Sequence, residues 1–349
     1  MSGPSVGKIG LGVFESVLAD RLGRPDERVL VGPRTGVDAA VVDLGGGRCL
    51  VVAEDPIFPA VGLPLETFGW FTMHIGASDI AVMGIRPELA TYSLLMPPGT
   101  PDADLETIVD SIHRAAVELG IAIIGGHTGY YPVVQAPIIG GITVMGIGER
   151  ERVVTPAGAR PGDAVLMTKG PAIEATGLLA VLYEDRLRAA HGDAITDAAV
   201  GRCREITVVR DALVARQAAP VTAMHDATEG GVLGGLWEIA DASGVGMEVD
   251  AGAMPWPEDV DALCSLLGID PLAAIAEWTL LATVGEEAVG AVVDALAAES
   301  IPCARIGTVL DDPSRRVVRR RDGSVEVLRV PAEDPFWPAF FRGVEAAGG

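Results

Sequence analysis

The stretch VTAMHDATEGGVLGGLWEIADA, residues 221–242, sets the interpretation of the second half of the chain. Residues 221–225 form an apolar run that predicts a strand, and residues 232–242 predict a helix. Asp226, Thr228, Glu229 and two glycines lie between them. A strand, a short polar turn and a helix in this order are typical of an α/β fold, and turns of this kind often carry function.

Asp226 is open to two interpretations. It could cap the helix that follows, with Glu229 closing a capping box. Alternatively, its carboxylate could bind Mg²⁺, which prefers hard oxygen ligands, and could take part in catalysis. The neighbouring His225 is a candidate general base.

Outward from this stretch, both halves mix strand-like and helix-like segments, which predicts a two-domain α/β protein of the α+β type. The Pro- and Gly-rich segment 155–162 is the expected boundary, which gives domains of residues 1–154 and 155–349. Expected strands are 37–42, 48–54, 89–96, 121–124, 138–147, 164–168, 221–225, 280–284, 304–309, 316–320 and 325–330. Expected helices are 8–22, 65–83, 102–119, 172–187, 205–218, 232–242, 258–267 and 286–299.

Composition argues against several classes of protein. The formal charge is -22 and basic residues cluster only between positions 315 and 321, so nucleic acid is not an expected partner. Four cysteines without a CxxC pair and five histidines without an HxxxH pair argue against zinc and favour a cytoplasmic location. We expect no signal peptide and no membrane span. Because the negative charge repels free nucleotide, ATP would need Mg²⁺ to supply local positive charge.

Three further acids resemble Asp226 in their placement. Asp38 lies in a glycine-flanked turn, Asp55 follows the apolar run 50–53, and Asp79 interrupts a small, apolar helix. Asp38 could instead hydrogen-bond within its turn, and Asp55, which precedes a proline, could start one. Asp79 would be costly to bury unpaired. Carboxylates drawn from several elements in this way predict a magnesium site with Asp38, Asp55, Asp79 and Asp226 as ligands.

A glycine-rich segment in the first half is the candidate phosphate contact. Gly125, Gly126, His127 and Thr128 follow the strand-like run 121–124. Glycine amides at a strand end can approach phosphate closely, although a tight strand-to-loop turn explains the same residues. His127 is a second candidate general base.

Lysine is rare in this chain. It occurs only at Lys8 and Lys169, and each lies next to a glycine. A compact ammonium beside flexible backbone suits phosphate, so both enter as candidate nucleotide contacts. No Walker loop, dinucleotide fingerprint or nucleophile elbow is present.

These motifs resemble those of the AIR synthase, or PurM-like, superfamily, which includes HypE, selenophosphate synthetase and thiamine-monophosphate kinase. Five segments in the family's order carry the resemblance, and a sixth, Asp270-Pro271-Leu272, is similar to one in HypE. The five segments are residues 36–42, 53–59, 77–87, 125–128 and 224–231.

The resemblance implies a PurM-like two-domain fold. Its N-terminal domain would carry a sheet that pairs with a second subunit in a homodimer, and its C-terminal domain would be α/β. ATP and Mg²⁺ are the implied cofactors. By position, the four aspartates match metal or nucleotide residues, and Gly125, Gly126, Thr128 and Thr228 match nucleotide-contacting motifs.

The implied activity is Mg-ATP-dependent phosphorylation of an amide or carboxylate-level oxygen of a small acceptor, as in a HypE-like paralogue. A small-molecule kinase similar to thiamine-monophosphate kinase and a non-catalytic nucleotide-binding regulator remain alternatives.

The sequence also departs from the family pattern. HypE-type proteins end in a cysteine that accepts a carbamoyl group, whereas the last cysteine here is Cys303, so we expect a different acceptor. Ser78, His127, Gly129 and Glu229 stand where the family has asparagine, aspartate, lysine and arginine. The magnesium acids are therefore retained while the groups expected on the substrate side are changed.

Overall fold

A computed structural model describes residues 6–9, 11–205 and 207–348. These residues form two compact units. Unit A comprises Arg28–Gly32 and Asp38–Val153, and unit B comprises Pro33–Val37 together with the described residues up to Glu27 and from Val154 onward. The first element of unit B is a short helix, Leu11–Val13 (α1), which continues as the π-helical turn Phe14–Leu18. The helix expected over residues 8–22 is therefore shorter than predicted.

Unit A is one six-stranded sheet with two long helices, and its strand order is β1-β2-β3-β6-β4-β5. Only β4 and β5 pair in parallel. The elements in chain order are Val29–Val31 (β1), Ala40–Gly45 (β2), Arg48–Ile57 (β3), Leu65–Val82 (α2), Leu89–Met96 (β4), Asp102–Leu119 (α3), Ala122–Tyr130 (β5) and Ile138–Glu149 (β6).

The helices of unit A follow from local sequence. Helix α3 has two acids in its first turn and ends at Gly120, whose φ of 72° gives a left-handed cap. Its apolar side chains Ile108 and Ile112 are fully buried. Helix α2 packs against β3, β6 and α3, so most of its residues are buried and it has no strong polar face.

Two strands of unit A differ from the sequence expectation. Strand β3 runs through Asp55 to Ile57, so Asp55 does not start a turn. Strand β5 continues through the glycines to Tyr130, so neither the predicted strand end nor the alternative turn at residues 125–129 is correct. Both interpretations relied on proline and glycine as breakers, and pairing with a neighbouring strand overrode that local preference.

Unit B contains a seven-stranded sheet with the order β13-β12-β9-β11-β7-β10-β8. Its strands are Ala164–Thr168 (β7), Val221–Ala227 (β8), Gly246–Asp250 (β9), Ala276–Val284 (β10), Cys303–Leu310 (β11), Arg316–Arg319 (β12) and Val325–Val327 (β13). Its helices after α1 are Ile173–Leu182 (α4), Glu184–His191 (α5), Asp193–Gly201 (α6), Val209–Ala218 (α7), Gly231–Ser243 (α8), Glu258–Leu267 (α9), Val289–Ala298 (α10) and Phe336–Gly348 (α11).

The core of unit B lies between α8 and the sheet. Val232, Leu236 and Ile239 of α8 pack in one cluster with Met247 and Leu281 of the strands. This placement brings the start of α8, and therefore the turn at residues 226–231, to the end of β8 beside β10.

Several helix and strand boundaries of unit B were not predicted. The helix expected over residues 172–187 divides at Tyr183 into α4 and α5, and the helix expected from residue 205 begins at Val209. Strand β9, helix α6 and helix α11 were missed altogether. Among the described residues, no helix is both long enough and apolar enough to span a bilayer.

Candidate active site

The turn between β8 and α8 is the chemically richest part of unit B. Helix α8 begins at Gly231, and Gly230 is its N-cap residue with φ of 83° and no side-chain cap. Asp226 lies within β8, four residues before that cap. The interpretation of Asp226 and Glu229 as a capping box is therefore wrong, because neither side chain caps the helix.

The Asp226 carboxylate is buried without a hydrogen bond. The residue is fully buried, and neither carboxylate oxygen has a hydrogen-bond partner. The His225 Nδ1 atom lies 3.5 Å from Asp226 Oδ1. A buried carboxylate without donors is costly unless a cation satisfies it, so Asp226 fits the predicted role of metal ligand.

His225 is held between two carboxylates. Its Nε2 atom lies 2.6 Å from Glu238 Oε2 on α8, and its Nδ1 atom faces Asp226. Burial raises the pKa of Glu238, but the hydrogen bond and charge of His225 outweigh burial and lower the pKa overall. Because both ring nitrogens face acceptors, His225 is placed to donate hydrogen bonds, which argues against the predicted general-base role.

More carboxyl groups surround this turn. Glu174 on α4 is buried and accepts a hydrogen bond from the Glu277 backbone N–H at 3.1 Å. Burial, together with the charges of Asp334, Glu229 and Asp226, raises the pKa of Glu174 to about 8, although the hydrogen bond from the Glu277 N–H opposes the rise. The turn therefore lies in a strongly negative environment, which favours the binding of a cation.

Asp334 fixes the turn to the start of α11. One of its oxygens accepts the Gly230 N–H and the other accepts the Phe336 N–H, both at 2.9 Å. Burial raises the pKa of Asp334, and these backbone hydrogen bonds oppose the rise. A carboxylate that is satisfied by two amides in this way stabilises the geometry of the residues around Gly230.

Lys8 and Thr228, two candidate nucleotide contacts, lie next to each other in unit B. The Lys8 Nζ atom donates to Thr228 Oγ1 at 3.1 Å, and the Lys8 N–H donates to Glu229 Oε2 at 2.7 Å. Lys8 is exposed. Its ammonium is thus accessible at the turn that contains Asp226.

Lys169 has a different environment. It has a φ of 58° and its Nζ atom donates to Thr207 O at 2.5 Å, Asp211 Oδ2 at 3.0 Å and Trp278 O at 3.1 Å. Three acceptors use all three ammonium hydrogens, and the side chain is largely buried. This arrangement argues against the prediction that Lys169 contacts phosphate and indicates a structural role for the side chain.

The other predicted metal ligands belong to unit A. Asp55 lies in β3, and its Oδ2 atom is buried without a hydrogen-bond partner. Asp79 lies half-buried on α2, and Asp38 lies half-buried just before β2. The orphaned oxygen of Asp55 fits the expectation that this residue is a magnesium ligand.

The predicted phosphate segment forms the outermost strand of its sheet. Gly125, Gly126 and Thr128 are exposed on β5, which pairs only with β4. Gly126 has a φ of 147°, and a Cβ there would collide with the Tyr92 carbonyl oxygen of β4. Only glycine fits this close approach between strands, so the glycine at position 126 is a requirement of the sheet.

His127 lines an open cavity of about 380 Å³ on the same sheet. Its Nε2 atom lies 2.6 Å from the Tyr131 hydroxyl. Glu54 of β3 and Thr143 of β6 also line the cavity, and the Thr143 hydroxyl donates to Glu54 at 3.3 Å. An exposed histidine beside a carboxylate and hydroxyl groups can accept a proton from a bound molecule.

Sequence reasoning missed several of these groups. Glu54 directly precedes Asp55, so it could have been noticed as its neighbour in the strand. Glu174 and Asp334 are far from the turn in sequence, whereas Glu238 lies on the helix that follows it; none of the three matches a motif, so only the fold reveals them.

Comparison with known proteins identifies the family of this chain. The family models for the N-terminal and C-terminal domains of AIR synthase related proteins match residues 36–148 and 160–320. Carbamoyl dehydratase HypE of Rhizobium leguminosarum bv. viciae is 32% identical over 290 residues, covering 80% of this chain and 78% of the relative. Selenide, water dikinase of Geobacter metallireducens is 32% identical over 252 residues, covering 71% and 69%.

The fold agrees with the sequence comparison. The structure of hydrogenase maturation protein HypE in complex with ATP matches with a TM-score of 0.68 and 24% identity, covering 95% of this chain and 98% of that one. The expected mixed α/β architecture with two sheets is confirmed. The chain belongs to the AIR synthase related protein family.

Proposed function

We propose that this chain catalyses ATP-dependent phosphoryl transfer to an oxygen of an amide or carboxylate-level acceptor, with Mg²⁺ as the metal. The observation that carries the proposal is the Asp226 carboxylate, which is fully buried and whose two oxygens have no hydrogen-bond partner. A protein that only folds has no reason to keep such a group, whereas a metal-dependent enzyme requires one.

The relatives support the reaction class. One relative is named a carbamoyl dehydratase, another a selenide, water dikinase, and a structural neighbour contains ATP. Activation of an oxygen by phosphorylation converts it into a leaving group, which is a step that a dehydratase and a kinase can share.

Each predicted group has a distinct part in this proposal. Asp226, with Asp38, Asp55 and Asp79, would hold Mg²⁺, and the bound ion would offset the charge on the transferred phosphoryl group.

The remaining candidates would bind nucleotide or move a proton. Lys8 and Thr228 would contact the nucleotide, as would Gly125, Gly126 and Thr128. Of the two histidines, the exposed His127 is better placed to accept the proton of the acceptor, because His225 is enclosed by carboxylates.

The acceptor is not one of the four cysteines in this sequence. Burial raises the pKa of the Cys203, Cys264 and Cys303 thiols to about 12, and it also raises the pKa of Cys49. A thiol is a weak nucleophile when it is protonated, so none of these residues is suited to receive a carbamoyl group. We expect no carbamoylated cysteine by intact-mass spectrometry after incubation with a carbamoyl donor and ATP, and a mapped adduct would contradict this.

Calorimetry tests the proposal directly. ATP should bind in the presence of Mg²⁺ and lose most of its affinity in EDTA, because the negative protein repels free nucleotide. Equal affinity under both conditions would reject the metal-dependent model.

A panel of amides and carboxylic acids should then reveal one class that stimulates ADP release, whereas binding without any turnover would indicate a nucleotide-binding regulator.

We also propose that the protein is a homodimer that pairs through unit A. Supporting this, β5 is the outermost strand of its sheet, and Leu44, Ile124 and Tyr130 are exposed apolar residues of unit A. An edge strand with exposed apolar side chains is favourable for association. Light scattering should give twice the 36.1 kDa chain mass and should return a monomer for Ile124→Asp.

A further inference from the structure

The segment containing Gly7 and Lys8 makes a specific contact with the turn that follows Asp226. The Glu229 carboxylate accepts the Lys8 backbone N–H at 2.7 Å, across 221 residues of sequence. The Lys8 side chain then extends to Thr228, where its ammonium donates to the hydroxyl at 3.1 Å. Two consecutive residues of the turn therefore hold the backbone and the side chain of the same lysine.

Gly7 is required for this contact. Its φ is 103°, in the left-handed region that side chains rarely adopt. A Cβ at residue 7 would collide with Glu229 Oε2. The carboxylate thus occupies the space that any side chain would fill, which indicates that the contact depends on the absence of a side chain at this position.

The electrostatics of the turn favour the same arrangement. Burial raises the pKa of Glu229, while the Lys8 hydrogen bond and charge act in the opposite direction. The Lys8 charge also acts to lower the pKa of Glu238. Lys8 therefore offsets part of the repulsion among the carboxyl groups around Asp226.

We propose that Glu229 is a positioning residue that fixes Lys8 on Thr228, so that the Lys8 ammonium is held ready to contact a nucleotide phosphate. This inference rests on the proposed function. The resemblance described above places an arginine at the position of Glu229. This chain therefore has a carboxylate in the turn where the family has a cation, and the carboxylate binds a lysine from a distant part of the sequence. The positive charge reaches the turn from Lys8 rather than from residue 229.

Amine labelling without nucleotide tests the contact. The chain has only two lysines, so acetylation of Lys8 can be read by mass spectrometry against Lys169, which reports that the protein is folded. Glu229→Ala should raise the rate of Lys8 acetylation about threefold to tenfold, as expected for loss of a charge-assisted hydrogen bond. Glu287→Gln, on an exposed glutamate of the same unit, is the matched control and should leave the rate unchanged.

Gly7→Ala provides a second variant, in which the sequence of the turn itself is unchanged. Because its side chain would collide with Glu229, it should raise the Lys8 labelling rate as much as Glu229→Ala does. Unchanged Lys8 labelling in both variants would overturn the proposal.

Nucleotide binding then tests the consequence. Glu229→Ala and Lys8→Met should each weaken Mg-ATP binding about tenfold, and the double variant should be no weaker than either one, because both changes remove the same contact. Glu229→Gln should recover part of the affinity, since its amide oxygen can still accept the Lys8 N–H. Additive losses would overturn the positioning role.

The labelling and binding results separate the two proposals. If the wild-type protein binds no Mg-ATP, the proposed function fails, and the labelling experiment still decides whether Glu229 holds Lys8.

Discussion

The turn at residues 225–231 of unit B and strand β5 of unit A are both rich in glycine, and each contains one histidine. They differ in burial. His225 and Asp226 are buried among carboxyl groups, whereas His127 and its neighbours on β5 are exposed. The same residue types therefore have different surroundings: the buried histidine lies between two carboxyl groups, and the exposed one lines an open cavity.

The contrast shows why motif and role must be separated. A histidine next to a glycine-rich segment predicts the same role at either position in the sequence. Its surroundings decide whether it can exchange a proton, and those surroundings differ: Glu238 contacts the ring of His225, and Tyr131 contacts the ring of His127.

The largest expected effect concerns the buried acid of the turn. Asp226→Asn removes the charge that would hold the metal while keeping the shape, so turnover should fall by about 100-fold or more. Because the change removes one of several mutually repelling carboxylates, the melting temperature should not fall. Steady-state assays and calorimetric melts provide the measurements, and retained turnover would exclude Asp226 as a metal ligand.

The second prediction concerns the stability of the same turn. His225→Ala leaves Glu238 and Asp226 without the group that lies between them, so the free energy of unfolding should fall by about 3–5 kcal/mol. Urea denaturation monitored by circular dichroism measures the change. If the free energy of unfolding falls only as much as it would on replacing an exposed histidine, the His225 contacts are not stabilising.

The third prediction is a pH dependence of the turn region. Glu174 has an ordinary pKa of 4.5 and a folded-state pKa of about 8, because burial disfavours its charge. The folded state therefore retains a proton that the unfolded state releases between these values, and stability falls as pH rises from 5 to 8. Glu174→Gln should remove this dependence, so its free energy of unfolding relative to wild type should be about 3–4 kcal/mol higher at pH 8 than at pH 5.

Denaturation in EDTA at both pH values tests this dependence, with Glu287→Gln as the control on an exposed glutamate. A variant that changes stability equally at pH 5 and pH 8 would show that Glu174 ionises normally in the folded protein.

The smallest expected effect belongs to strand β5. His127→Ala removes one exposed hydrogen bond, to Tyr131, so the free energy of unfolding should change by about 1 kcal/mol or less. If His127 is the general base, turnover should nevertheless fall steeply in a steady-state assay. Full turnover in His127→Ala would assign the proton transfer elsewhere.

Long elements with clear end signals could be predicted closely. Helix α3 is an example, because its acidic first turn, apolar spacing and terminal glycine are all local. Strand β5 could not be predicted to its full length, because its glycines read as breakers and only pairing with β4 keeps them extended. Helix α11, which carries several aromatic residues, was not predicted from the sequence.

The residues of the candidate site also differ in how well the sequence predicts them. Sequence alone selected Lys8, Thr228 and Asp226, and the fold brings the first two into hydrogen bonding and leaves the third without a donor. Sequence also selected Lys169 on the same grounds as Lys8, yet three acceptors enclose its ammonium. Both lysines lie beside a glycine, so no local feature could separate them.

The sequence by itself determined the family, the mixed α/β class and the set of acids available for a metal, because these depend on ordered short motifs and on residue spacing. The tertiary structure decided which of those groups are buried, which are already satisfied, and which distant carboxyl groups surround them. The reason is physical: desolvation and hydrogen bonding depend on neighbours in space, and Glu174, Glu238 and Asp334 become neighbours of the turn only when unit B folds.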